Sequence, residues 1–113
     1  MIVLDATTKS LEIKLAGAVT TTELPYVLSY VDLLDSDESV SDVGSNDGTS
    51  NGGTAVSVLA APAASHTRQV KFLSVNNADT VAATLTLQYN DNGTKRIITK
   101  TTLDVGDNFI YTD

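Results

Sequence analysis

Apolar and polar residues alternate with a period of two along most of this chain, the repeat of a strand buried on one side. From Ser10 to Ala16, Leu11, Ile13 and Leu15 share one face while Glu12 and Lys14 share the other, which predicts a strand. After Thr20, Thr21, Thr22 and Glu23 the chain reaches Pro25. The run Tyr26 to Leu34 then mixes Tyr26, Leu28 and Tyr30 with Val27, Val31 and Leu33, as a strand apolar on both faces would. Ala55 to Ala61 groups Val56, Val58 and Ala60 and is closed by Pro62, and Arg68 to Asn76 sets Val70 and Phe72 against Lys71. Ala83 to Tyr89 places Leu85, Leu87 and Tyr89 opposite Thr84, Thr86 and Gln88. Thr94 to Leu103 and Asn108 to Thr112 complete the series, the last aligning Phe109 with Tyr111.

The connections have turn chemistry. Asn90-Asp91-Asn92-Gly93 joins two alternating runs with residues that tolerate the positive φ of a tight hairpin. Asn76-Asn77-Ala78-Asp79 and Asp104-Val105-Gly106-Asp107 are further turns. No segment has a helical period. Short strands separated by turns predict an all-β fold, a single antiparallel β-sandwich or jelly roll occupying 1–113 as one domain.

Two stretches stand outside this rhythm. Residues 35–54, DSDESVSDVGSNDGTSNGGT, contain only Val40 and Val43 as apolar side chains and read as one long, acidic, exposed loop. Loops of that length are uncommon and usually functional or mobile, so it reads as a contact arm or a flap. Residues 1–8 precede the first clear strand and carry Ile2, Val3 and Leu4, apolar residues wasted in water. They are expected either to dock on a partner or to form an edge strand of the same sandwich.

Composition narrows the function. Hydrophobic residues at 42% and charged residues at 19% are enough for a folded core and argue against disorder throughout. Fourteen acids against seven lysines and arginines leave a net charge of −7, a field that repels phosphate backbones and anionic lipid, so neither nucleic acid nor membrane is an expected partner. Cysteine is absent, which removes disulfides and cysteine-ligated zinc. No apolar run reaches the length of a signal peptide core or a membrane span, and synthesis in the cytoplasm as a soluble protein is expected.

Catalytic chemistry is not announced. The one histidine, His66, lies in Ser65-His66-Thr67-Arg68, with nothing to mark a nucleophile or an orienting acid for it, and reads as a solvated turn residue. Asp35-Ser36-Asp37 opens like a calcium loop, but Ser39 and Val40 stand where that pattern needs an acid and a glycine. The acids Asp35, Asp37, Glu38, Asp42 and Asp47 are expected to be solubilising charge. Glycines 44, 48, 52 and 53 form no phosphate loop, and Asn92-Gly93-Thr94, although a glycosylation sequon, reads as the hairpin turn. No catalytic, cofactor-binding or metal-ligating residue is predicted. Lys95, Arg96 and Lys100 share one hairpin arm, and Arg68 and Lys71 share another strand. They are either ordinary solvent-facing charges or a positive face that meets an acidic neighbour.

The order of these elements has a counterpart. RQVKFLSVNNADTVAATLTLQYNDNGTKRIITKTTLDVGDNFIYTD resembles short structural proteins of tailed bacteriophages. In these an Asn-Ala-Asp turn is followed by a Thr-rich strand, an Asn-Asp-Asn-Gly hairpin, a Val-Gly-Asp turn and an aromatic strand. The opening LDATTKSLEIKLAGAVTTTELPYVLSYVD is similar to the same proteins. The resemblance implies a virion component without catalytic activity. As a capsid decoration or cement protein it would bind the major capsid protein on the outer head surface, as a homo-oligomer, a dimer or trimer at a capsid symmetry axis. Ile2, Val3, Leu4, Lys95, Arg96 and Lys100 are then the expected contact residues. The other reading is a tail or fibre module that binds a host glycan or a neighbouring tail protein.

Overall fold

The alternating runs become nine strands, with no helix, in a computed structural model that describes all residues 1–113. They are β1 (Ile2–Leu4), β2 (Lys9–Leu15), β3 (Pro25–Leu34), β4 (Val40–Thr49), β5 (Val56–Leu59), β6 (His66–Asn76), β7 (Ala83–Asp91), β8 (Thr94–Leu103) and β9 (Asn108–Thr112). Two antiparallel sheets pack face to face as a single β-sandwich. Sheet A has the order β1-β6-β3-β4, with β9 also on β6, and sheet B has the order β5-β2-β7-β8. The long-range pairs β3–β6 and β2–β7 lie one in each sheet, as nested pairs do in a jelly roll, while hairpins β3–β4 and β7–β8 widen each sheet by a strand.

The core follows from the period of two. Leu11, Ile13 and Leu15 on β2 lie directly opposite Tyr89, Leu87 and Leu85 on β7, so one face of sheet B presents a continuous apolar block. Tyr26 and Leu28 on β3, with Val70, Leu73 and Val75 on β6, meet it from sheet A, and sixteen buried apolar residues form one cluster. Burying each such side chain stabilises by about 1.5–3 kcal/mol before the ordering entropy is counted.

Two sequence expectations are corrected here, and one that stood open between two alternatives is decided. The stretch 35–54 is not one long loop: Val40–Thr49 is the ten-residue strand β4, paired with β3 from Pro25↔Thr49 to Leu33↔Val40. A ladder needs only backbone N–H and C=O groups, which polar composition does not remove. Gly44 and Gly48 sit opposite Tyr30 and Tyr26, and a Cβ on Gly44 would lie 2.5 Å from the Tyr30 hydroxyl oxygen. The two glycines leave room for the rings, an arrangement that fills space a glycine strand would waste.

Second, of the two expectations for residues 1–8 the edge strand holds and the docking arm does not. Ile2, Val3 and Leu4 pair with Val70, Gln69 and Arg68 of β6, and Ile2 and Leu4 are buried in the core. The N–H of Ile2 donates to the Tyr111 hydroxyl at 2.8 Å, tying the strand to β9 as well.

Third, Phe72 does not share a face with Val70. Ser29 pairs with Phe72 and Tyr30 with Val70, which leaves Lys71 without a partner on β3 as a β-bulge. The extra residue resets the alternation, so Leu73 and Val75 point inward and Phe72 points out. The same bulge separates two strands on the other edge of β6: β1 occupies Arg68 to Val70 and β9 occupies Phe72 to Asn76, end to end.

Candidate interaction surface

Residues directly opposite in an antiparallel ladder send their side chains to the same face, so the registers define rows across each sheet. On the outer face of sheet A one row runs Val43, Val31, Gln69, Val3 and the next Ser45, Ser29, Phe72, Thr112. A third runs Asp47, Val27, Ser74, Ile110, and Val40, Leu33 and Thr67 form a shorter row at the other end. Val27, Val40, Val43 and Ile110 are each more than half exposed, and Val3, Val31, Leu33 and Phe72 are half-buried outside the core cluster. The outer face of sheet A is therefore mixed, with apolar side chains at all four strand positions interrupted by Gln69, Ser29, Ser45, Ser74 and Asp47. Met1 lies beside Val3 and Leu33 around a shallow depression at its end.

Sheet B turns a different surface outward. Glu12 and Gln88 face each other at its centre and are nearly inaccessible although no layer of structure covers them. Gln88 donates to the Glu12 carboxylate at 2.6 Å, Lys95 at 2.5 Å and Asn90 at 3.5 Å. Burial pushes the Glu12 carboxyl up, but these hydrogen bonds and the Lys95 charge outweigh it and hold the group below its usual range. Lys14 and Lys100 flank the network in the row through Thr86.

The sequence-predicted contact residues are dispersed by this fold. Ile2 and Leu4 face the core and cannot meet a partner, whereas Val3 belongs to the outer face of sheet A. Lys95 is committed to Glu12, while Arg96 and Lys100 are exposed on β8 and make no ion pair. Arg68 and Lys71 do not extend that basic group. Arg68 turns inward to bind both oxygens of Asp32 at 2.8 and 3.1 Å, with its guanidinium 4.6 Å from the Tyr30 ring centre, and Lys71 meets Asp113 at 3.0 Å.

The chemical candidates are placed as follows. His66 opens β6, its Nδ1 2.8 Å from the Ala64 carbonyl oxygen. Asp35 accepts a hydrogen bond from Thr67, Asp37 accepts from Ser39, and Asp42 caps the Val43 N–H. No group of three or more histidines or carboxylates converges. Asn92 and Gly93 both have positive φ, 53° and 91°, as the β7–β8 hairpin requires.

One structural carboxylate escaped the sequence reading. Asp79 is buried in the β6–β7 connection and accepts the backbone N–H groups of Thr20, Thr21, Thr22 and Thr80. The N–H of Thr20 leads these in holding its carboxyl down to about 2. Asn77 locks the same corner, its amide nitrogen donating to the carbonyls of Val81 and Leu103.

Set against protein-family models, curated proteins and solved structures, the chain matches none of them.

Proposed function

We propose that this protein is a structural component of a bacteriophage particle, a decoration protein that seats on the outer surface of the head and braces it. Its partner in this reading is the major capsid protein. The observation that carries the proposal is the set of exposed apolar side chains on the outer face of sheet A, where Val27, Val40, Val43 and Ile110 lie open to solvent among polar neighbours. A soluble protein rarely leaves such a surface open without a partner for it. Apolar area removed from water contributes roughly 25 cal/mol per Å², from which association and ordering costs are subtracted. Rigid strands keep the ordering cost low, and a symmetric shell repeats each contact many times.

The resemblance of residues 68–112 to phage structural proteins supplies the biological setting. The aromatic residues favour the head over a glycan-binding fibre. Tyr26 lies in the core, and Tyr30, Tyr89, Phe109 and Tyr111 pack against it, leaving only Phe72 on the outer face of sheet A. Sugar platforms need exposed rings.

Quantitative mass spectrometry of purified particles tests the reading. A ratio of this chain to the major capsid protein near one is expected. A ratio of a few per cent would reject head decoration and point to a tail or fibre module.

A further inference from the structure

Two edge strands of this sandwich are long and two edges are short. β4 and β8 have ten residues each and pair on one side only, whereas β5 has four and the remaining edge is shared by β1 with three and β9 with five. A long edge presents a row of unpaired N–H and C=O groups and is a template for another strand. Neither β4 nor β8 contains proline; what guards these edges is a bulge in each, at Ser41 and at Ile98, and their charge, which repels a like edge and admits an unlike one.

The two long edges carry opposite charge. β4 holds Asp42 and Asp47 and no base, and the turn leading into it adds Asp35, Asp37 and Glu38. β8 holds Lys95, Arg96 and Lys100 and no acid. With Lys95 bound to Glu12, Arg96 and Lys100 remain for a partner, in a chain whose overall charge is −7. Asp91 lies near Arg96 at the hairpin end without forming an ion pair with it. The same strands hold four of the nine large apolar side chains that are exposed, Val40 and Val43 on β4 and Ile97 and Ile98 on β8.

Position prevents the two from meeting within one molecule. β4 closes sheet A beside β5, where Asn46 donates to the Val58 carbonyl, and β8 closes sheet B at the far end of the order β5-β2-β7-β8. We infer that the β4 edge of one copy adds to the β8 edge of a second copy, joining sheet A of the first to sheet B of the next. The partner is a second copy of this chain, and the contact is heterologous, so it generates a ring where the rotation closes and a string where it does not. Backbone hydrogen bonds supply the pairing, and the opposite charges of the two edges, carried on both faces of each strand, select the partner edge and exclude like with like. This stands apart from head decoration, because free protein is sufficient to test it.

Sedimentation of the purified chain at low ionic strength is expected to show species larger than a monomer, with association about tenfold weaker once salt screens the charges. Two variants isolate the interface: Arg96→Glu with Lys100→Glu makes both edges acidic, and Asp42→Lys with Asp47→Lys makes both basic. Each alone is expected to be monomeric with an unchanged β-sheet circular dichroism spectrum. An equimolar mixture recovers association, because every junction then joins unlike edges. Hydrogen exchange in the assembled state is expected to slow at β4 and β8 amides and not at β5. A wild-type chain that stays monomeric at low salt, variants that associate like wild type, or a mixture that remains monomeric would each overturn the inference.

Discussion

On the outer face of sheet A the middle positions of the rows are Val31 and Gln69, Ser29 and Phe72, and Val27 and Ser74, with Val43, Val3 and Ile110 at their ends. On the outer face of sheet B the corresponding central positions are Glu12, Gln88 and Thr86, with Lys95 and Asn90 beside them. Both sheets have four strand positions and both use a bulge on a long strand. Yet Glu12 is 5% exposed, enclosed by Gln88, Asn90 and Lys95, while Val43 is 65% exposed. The centre of sheet B closes over by bonding polar groups to one another, while Ile97 on its β8 edge stays exposed. Sheet A leaves exposed apolar side chains on β3, β4 and β9. Burial on a sheet surface is thus a matter of whether the side chains satisfy one another.

The sharpest way to break this contrast is to place charge in the apolar rows. On the proposed reading as a head decoration, Val31→Asp combined with Val43→Asp is expected to weaken attachment to the particle by about a hundredfold, close to 2.7 kcal/mol. Lys14→Glu on sheet B should leave attachment within about twofold, as a surface change away from the contact does. Binding of labelled protein to particles stripped of this chain measures both.

Next in size is the removal of the polar centre of sheet B. Glu12→Ala leaves Gln88 and Lys95 without their acceptor and is expected to destabilise by about 2 kcal/mol in urea unfolding, limited by the access of Lys95 to water. The pH dependence has the same origin. Glu12 and Asp79 have folded-state values below their ordinary 4.5 and 3.8. Their contribution is therefore complete above the ordinary values and is lost as pH falls through the folded ones. The urea midpoint should hold steady down to about pH 5 and then fall toward pH 2. Asp79→Asn should lower the midpoint at pH 7 and flatten that fall.

On sheet A the corresponding structural test is Gly44→Ala, which drives a methyl group into the Tyr30 ring and is expected to cost about 1–2 kcal/mol. Gly48→Ala, with 3.0 Å to Tyr26, should cost less. Smallest of all, Val43→Thr on the open face should change stability by less than about 0.5 kcal/mol, since the side chain has no inner neighbours to lose.

How much of this was legible in the sequence depended on whether a signal was local. Strands β2, β7, β8 and β9 were readable because Leu11, Ile13 and Leu15, or Leu85, Leu87 and Tyr89, repeat within a few residues. β4 was hidden because its inward positions include Gly44 and Gly48, which look like loop composition until Tyr30 and Tyr26 are placed opposite them. The bulge at Lys71 defeated the alternation rule for Phe72, since one inserted residue reverses every face after it. The Asn-Ala-Asp turn was visible, but Asp79 takes three of its donors from residues 57–59 positions away. The apolar face of sheet A is assembled from β1, β3, β4, β6 and β9, and no window along the chain contains it.

The end-to-end placement of β9 and β1 along β6 gives the backbone an unusual connectivity. Thr112 lies opposite Phe72 and Ile2 opposite Val70, two positions apart on one strand, which is roughly 7 Å. Both segments run in the same direction, antiparallel to β6. They are in effect a single strand with a nick in it. A peptide link from Asp113 to Met1 would seal the nick and turn the chain into a closed loop. New ends could then be opened at the exposed turn Asn92-Gly93 without disturbing the order of either sheet.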